Sequence, residues 1–449
     1  MKRILAGLAA LHLASPVCGA EPALPAGLEG FKFAPQYSES DPYSPAVETI
    51  LGGFWELRTG VRIRSDGDRR RTTLLESRLQ VRLQHDTQAY TARLAGDLLA
   101  DTVSKDHALD LEAGEGWFDL REANLTLRPV DFLDLKFGRQ ILTWGTGDLL
   151  FINDLFPKDY RSFFLGRDET YLKAPSDAFK ASLFFSGVTL DLVYTPRFDA
   201  DRYIDGRRVS FFDPQTGRIA GRSEGFDVDL PHRWFREDEI AARLFTNVAG
   251  LEMAAYTYFG FWKSPAGQDT LTERKEFPKL SVYGFSLRGA LAGGIANMEL
   301  GYYDSRDDRD GKNPFVDNSE FRLLLGYESE VARETTVSMQ FYLEQLLDYR
   351  AYRSDLSVGT PARDRQRKVV TLRVIHRALR QDLTLSLFTF YSPSDRDGYL
   401  RPRLAYRFDD HWSMALGANL FFGEHHSTRF YQFDRNSNLF VSARYDFGN

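Results

Sequence analysis

The stretch GWFDLREANLTLRPVDFLDLKFGRQILTW, Gly116 to Trp144, decides the fold. Two runs flank the tight turn Arg128-Pro129-Val130-Asp131. In the first, Ala123, Leu125 and Leu127 alternate with Glu122, Asn124, Thr126 and Arg128; in the second, Leu133, Leu135, Phe137 and Ile141 alternate with Asp134, Lys136, Gly138 and Gln140. A period of two gives one apolar and one polar face, so each run reads as a strand. Each run has the length of a tilted transmembrane β-strand, roughly 9–11 residues. A soluble sandwich also alternates, so the weight falls on recurrence.

The hairpin recurs along the whole chain. Trp55, Leu57, Val61 and Ile63 oppose Glu56, Arg58, Arg62 and Arg64; Leu75, Leu79, Val81 and Leu83 oppose Glu76, Arg78, Gln80 and Arg82. Further runs fall at 90–98, 178–186, 188–196, 238–247, 250–262, 280–291, 294–304, 319–329, 334–346, 367–379, 382–392, 399–408, 412–422 and 437–447. The expected fold is an all-β transmembrane antiparallel barrel of about 18 strands, with 16 as the alternative if a hairpin at 178–196 or 399–422 is over-read. Short connections alternate with long polar ones such as 143–177 and 197–237, and the short ends of such barrels are periplasmic. Barrels of this size leave an aqueous channel, whereas eight-stranded ones are filled by side chains.

The N-terminus reads as an export signal. Lys2 and Arg3 precede an apolar stretch from Ile4 to Leu13, too short to span a bilayer, and Cys18-Gly19-Ala20 offers small residues for cleavage. The expected organisation is a signal peptide at 1–20, a periplasmic or lumenal segment at 21–53 and an outer-membrane barrel at 54–449. A lipoprotein signal using Cys18 is the rival, with Ser15-Pro16-Val17 a poor approach to it. Cys18 is the chain's one cysteine, so cleavage after Ala20 leaves neither disulfides nor thiol chemistry. The net charge of −6, made more acidic by loss of Lys2 and Arg3, argues against nucleic acid as a partner. With 35 Phe and 21 Tyr, the chain is rich enough in aromatics to form the girdles of an outer-membrane barrel. The expected surroundings are outer-membrane lipid and lipopolysaccharide of a Gram-negative bacterium, the barrel-assembly machinery and a periplasmic partner. The last strand reaches Phe447 but ends on Gly448-Asn449, a departure from the usual terminal aromatic.

The run GRQILTWGTGDLLFINDLFPKDY, Gly138 to Tyr160, resembles a segment of proteobacterial outer-membrane barrels of the alginate-export and porin types: a Gly-Arg-Gln strand end followed by a Trp-Gly turn. The resemblance covers about forty residues around Gly138 to Asp177, in the context of a barrel pattern. It implies a channel for diffusion or export and fixes no solute or ligand-binding residue.

On these strand phases the polar face is rich in arginine. Arg58, Arg62, Arg78, Arg82, Arg288, Arg322, Arg373, Arg377, Arg401, Arg403, Arg407 and Arg444 are the expected lumenal basic wall, joined by Arg64, Arg93, Arg128, Lys136, Lys180 and Arg243. Guanidinium groups lining a narrow aqueous path favour anions. The competing reading is a self-neutralising ladder with Glu56, Glu76, Asp97, Glu122, Glu299, Glu328 and Glu344. The cluster Arg401, Arg403 and Arg407, beside Arg373 and Arg377, is the patch expected to lack carboxylate partners, apart from Glu344, which is placed to neutralise Arg373 across the adjacent strand. The 143–177 link mixes Trp144, Asp148, Asp154, Lys158, Asp159, Arg161, Arg167 and Asp168 with many Phe and Leu. It is expected either to enter the pore as a constriction or to cap the barrel mouth; 197–237, more polar, is expected to be external.

No Gly-x-Ser-x-Gly, His-Glu-x-x-His or P-loop occurs, so no catalytic residue, cofactor or metal is assigned. His376 and Ser386 lie on opposite phases, and His425-His426 reads as a solvated loop pair. The leading expectation is an outer-membrane channel for hydrophilic solutes, with anions favoured if the wall is not neutralised. The alternatives are a barrel-borne enzyme or adhesin, or a structural sleeve for a periplasmic partner.

Overall fold

The computed structural model describes residues 47–64, 71–103, 108–214, 216–221, 224–356 and 360–448. The signal-peptide assignment and residues 21–46 of the expected 21–53 segment lie outside these residues. The barrel strands are β1 (Val47–Arg62), β2 (Thr72–Thr87), β3 (Tyr90–Asp101), β4 (Phe118–Val130), β5 (Leu133–Gln140), β6 (Ser176–Phe185), β7 (Val188–Thr195), β8 (Glu239–Val248) and β9 (Leu251–Phe261). They continue as β10 (Lys279–Leu291), β11 (Gly294–Ser305), β12 (Glu320–Ala332), β13 (Thr335–Leu346), β14 (Gln366–Ala378), β15 (Leu383–Ser392), β16 (Asp397–Arg407), β17 (Trp412–Phe422) and β18 (Asn438–Gly448). Each strand pairs antiparallel with its neighbours in sequence, and β1 pairs with β18, closing an 18-stranded sheet. Closure removes the edges that no bilayer could solvate. No helix is long and apolar enough to cross a membrane.

The first strand starts at Val47, ahead of the expected Phe54. Its early residues are held by register with β2, from Val47 opposite Thr87 onward. The hairpin that decided the fold is β4–β5, with two local departures. A bulge sets Ala95 opposite Glu122 but Gly96 opposite Leu120, so Arg121 is the extra residue and turns inward beside Asp119. β5 ends at Gln140, one residue before Ile141, and Gly138 takes a φ of 109° that interrupts the alternation, burying both Arg139 and Gln140.

Connections on one side of the barrel are tight. Ala292-Gly293 (φ 48° and 81°) and Ala249-Gly250 (φ 53° and 82°) have positive φ at both central residues, the requirement of a type I′ hairpin. On the other side run the long links 102–117, 141–175, 196–238, 262–278, 306–319, 347–365 and 423–437.

The outer face carries Trp55, Leu57, Leu94, Phe179, Leu244, Leu325, Leu385, Leu416 and Leu439, all exposed, as lipid contact demands. The inner face has two zones. One is charged, with buried Glu56, Arg58, Glu76, Arg78, Asp97, Asp119 and Arg401. The other, toward the long links, is apolar and aromatic: Tyr258, Tyr303, Leu324, Tyr342, Val369, Phe388, Phe390, Tyr399 and Phe421. A uniformly polar inner wall, as alternation suggested, is therefore corrected. The long links pack on this apolar zone and also meet charged wall residues such as Arg58 and Glu76.

Leu416 sits mid-strand on the outer face, 54% exposed. Leu416→Arg should destabilise the barrel by about 2–4 kcal/mol, the midplane cost of a cation on the lipid face. Urea unfolding in liposomes, followed by heat-modifiable gel mobility, measures it. An unchanged midpoint would mean that Leu416 does not face lipid.

Candidate functional site

The segment 141–175 leaves β5 and re-enters the sheet at β6. Its apolar residues Leu142, Trp144, Leu149, Ile152, Phe156, Phe163, Phe164, Leu165 and Leu172 form one core with the aromatic inner wall. Trp144 meets Phe156 edge-on at 4.9 Å, and Phe164 packs on Tyr399, Phe421 and Phe433. Each buried aromatic contributes about 1.5–3 kcal/mol. The surplus of Phe in a nominal loop thus has a physical use: the segment folds against the inside of the barrel.

Polar groups fix its position all round the wall. On β11, the buried Glu299 carboxylate accepts the backbone N–H groups of Thr146, Gly147 (2.7 Å) and Asn153 (3.1 Å) and the Asn153 side-chain amide (2.9 Å). Asn297 of the same strand donates to the Thr146 carbonyl at 2.8 Å. Gly145 makes this cradle possible: its φ is 83°, and a Cβ there would meet a Glu299 oxygen at 2.9 Å. The Trp-Gly turn of the sequence is therefore a nest for a carboxylate. On β14 and β16, Asp148 pairs with Arg373 at 3.0 Å, Glu169 with Arg373 at 2.9 Å and Arg401 at 3.0 Å, and Asp168 with Arg403 at 3.5 Å. On β1 and β2, Arg58 donates to the Gly166 carbonyl and Arg167 pairs with Glu76. On β3, Asp97 accepts from Tyr171 at 2.8 Å.

The remaining charged residues of the segment are used within it or by neighbouring links. Lys158 is buried, bonded to Asp154 at 2.9 Å and to the Phe156 carbonyl at 2.6 Å. Asp159 caps the short helix α1 (Tyr160–Leu165) through the Ser162 N–H, 2.7 Å, and also meets Arg202 at 3.4 Å. Arg161 pairs with Glu115. Arg202 is buried, with Asp119 at 2.7 Å, and Phe198, Asp199, Val209 and Ser210 are buried too. The expectation that 197–237 is external is thus corrected for its first part, which packs inward because its charges have inner-wall partners.

The basic wall separates into paired and unpaired members. Arg58 pairs with Glu56 (2.8 Å), Arg78 with Glu76 (2.8 Å) and Asp97, Arg322 with Glu320 (2.7 Å) and Arg444 with Asp446 (2.6 Å). Arg62 donates to the Arg208 carbonyl at 3.0 Å, and Arg407 meets Asp382 at 3.1 Å in a short turn. The expected carboxylate-free patch at Arg373, Arg401, Arg403 and Arg407 is therefore corrected. Its partners come from the 141–175 segment and a turn, not from the earlier strands considered. Glu344 is held by Arg363 at 3.0 Å rather than by Arg373. Arg82, Arg288 and Arg377 point inward near the short-turn end and form no ion pair among the described residues. The sequence signals that were missed are Asp119 and Arg121, hidden by the bulge, and Glu169, which sits in the link and was not singled out.

Between the segment and the long links lies a cavity of about 1070 Å³. Phe151, Tyr160, Phe163, Tyr203, Phe211, Phe390 and Phe430 line it, with Arg322, Arg367 and Arg429 among its polar residues.

No protein-family model matches the chain, and neither does any curated protein sequence. Solved structures do. OccAB1 of Acinetobacter baumannii is 9% identical at a TM-score of 0.53, with 92% of this chain and 99% of that chain covered. OccK5 (OpdH) of Pseudomonas aeruginosa is 12% identical at 0.51, covering 90% and 98%. OccD3 (OpdP) of the same organism is 9% identical at 0.51, covering 89% and 91%. At such identities the likeness is one of fold alone, a closed antiparallel β-barrel. The alginate-export resemblance of the Gly138 region finds no counterpart in these matches.

Glu299→Ala should release the segment while leaving the sheet intact. Each of the stranded buried N–H groups costs about 1–3 kcal/mol. Hydrogen exchange across 144–153 should rise by orders of magnitude with unchanged heat-modifiable mobility; unaltered exchange would show that the nest is dispensable.

A pH dependence also follows. Burial pushes the Asp148 carboxyl up to about 6, against the pull of Arg373 and with help from Glu169 and Glu328. A released segment would titrate near the ordinary 3.8. Between those values the docked form binds more protons, so docking strengthens as pH falls through that window and weakens as it rises. Exchange protection of 144–153 should therefore be higher at pH 4 than at pH 7, and the difference should shrink in Asp148→Asn. Protection that grows with pH would reverse the sign.

Proposed function

We propose that this chain is a passive outer-membrane channel for small hydrophilic solutes, with the segment 141–175 narrowing its lumen. The observation that carries the reading is the charged inner wall of a closed barrel whose outer face is apolar. Ionised side chains aimed into a barrel are retained where water and polar solutes pass. The barrel size supports an aqueous path, and the fold likeness agrees with it. In this reading the protein has no catalytic role, moves solutes down their gradient, and lies in the outer membrane of a Gram-negative bacterium. Short turns face the periplasm, and the long links face lipopolysaccharide and the exterior. Impermeant thiol labelling tests that orientation: a cysteine at Leu271 should react on intact cells, and one at Arg333 should not.

Anion preference belongs to the same proposal. Arg82, Arg288 and Arg377 supply charge toward the lumen with no ion pair among the described residues, and such charge concentrates anions over a Debye length of about 10 Å at 0.1 M salt. In planar bilayers the purified protein should carry steady current. Its reversal potential in a KCl gradient should favour chloride at low salt and lose that bias as salt rises. Changing Arg82, Arg288 and Arg377 together to Gln should reduce the bias without blocking insertion. Cation selectivity in the native protein would overturn the anion reading, and a barrel silent under every condition would overturn the channel reading.

A further inference from the structure

Four wall arginines find a carboxylate on their own strand. Glu56 serves Arg58, Glu76 serves Arg78, Glu320 serves Arg322 and Asp446 serves Arg444, each two residues away on the shared face. A wall that needs only neutrality is built this way. β14 and β16 depart from it. Arg373 has Thr371 and Ile375 at the flanking positions, and Arg401 has Tyr399 and Arg403. Neither arginine has a carboxylate neighbour on its own strand.

These two arginines share one level of the barrel. The register sets Phe388 of β15 directly between them, opposite Arg373 on one side and Arg401 on the other. One carboxylate bridges them: Glu169 gives one oxygen to Arg373 at 2.9 Å and the other to Arg401 at 3.0 Å. Phe388 and Phe163 back the two guanidinium groups at 5.2 and 4.5 Å. Arg403, the next inward residue of β16, meets Asp168 at 3.5 Å. The carboxylates all belong to the segment 141–175. The Glu169 and Arg403 side chains each remain 38% exposed, so solvent reaches the bridging carboxylate and the arginine beside the clamp.

We infer that Arg373 and Arg401 form a carboxylate-binding clamp in the barrel wall, occupied in this state by Glu169 of the chain itself, and that a solute bearing two or more carboxylates competes for it. The planar guanidinium fork suits a bidentate carboxylate, and two forks on one carboxylate make a specific seat. The tethered Glu169 competes at an effective concentration in the millimolar range, so a monocarboxylate displaces it poorly. A solute that fills the clamp with one carboxylate and reaches Arg403 with another replaces both Glu169 and Asp168. Its binding then frees one anchor of the segment. The clamp stands on the wall geometry; its consequence for conduction rests on the channel reading.

Calorimetry on the full detergent-purified protein at fixed ionic strength tests the clamp, with citrate as the polycarboxylate and acetate and inorganic phosphate as comparisons. Citrate should bind the native protein more tightly than acetate or phosphate. Glu169→Gln, which removes the competitor and leaves the arginines, should bind citrate about tenfold more tightly, the change expected when one charge-assisted contact no longer competes. Arg373→Gln with Arg401→Gln should bind it at least tenfold more weakly by the same measure. Should that double variant fail to fold, Glu169→Gln decides alone. Unaltered or weaker citrate affinity in Glu169→Gln, or phosphate bound as well as citrate, overturns the inference. In bilayers, citrate should raise the open fraction of the native channel and do little to Glu169→Gln, which is already more open. Absence of any current refutes the channel reading instead, and the calorimetric result still decides the clamp.

Discussion

A bilayer offers no water to backbone N–H and C=O groups, so a sheet that crosses it must satisfy all of them internally. Closure of β1 on β18 does this, and most of the remaining architecture follows. A closed sheet with lipid outside must send its polar side chains inward. That gathers many ionised groups inside a limited volume, where an unpaired charge is costly. The wall resolves much of this locally, through arginine–carboxylate pairs two residues apart on one strand.

The local solution leaves room for a second one. Where wall arginines have no carboxylate two residues away on their strand, at Arg373 and Arg401, the 141–175 segment supplies one; where the wall presents a carboxylate with no ion pair among the described residues, at Glu299, the segment supplies backbone N–H groups. The segment and the wall are complementary in charge at both places. Between these anchors the contact is aromatic, and it ties Phe163 and Phe164 to Tyr399 across the lumen. Polar anchoring fixes the register of the segment, and apolar burial supplies the bulk of its stability.

The two kinds of contact respond differently to solution conditions. The apolar core is closed to solvent, whereas charged anchors that water reaches are open to competition by other ions and to protonation. Asp168 and Glu169 lie on that accessible side, while Trp144 and Phe156 lie on the buried one.

The strands were legible in the sequence because lipid and lumen impose a strict period of two on each of them. Leu57 against Arg58, or Leu416 against Gly417, needs no knowledge of the neighbouring strand. Strand number, hairpin order and the alternation of short and long connections follow from that period and from turn residues such as Gly250 and Gly293. The local failures were at places where the period breaks for backbone reasons, the bulge at Arg121 and the positive φ at Gly138. What the tertiary structure alone decided was pairing. Sequence alternation places Arg373 and Arg401 on the inner face, but it carries no record of which distant carboxylate meets them. Glu169 reaches them only because a link between β5 and β6 crosses to the opposite wall. Side-chain direction is a one-strand property set by the pleat, whereas charge neutralisation inside a barrel is a property of the closed volume.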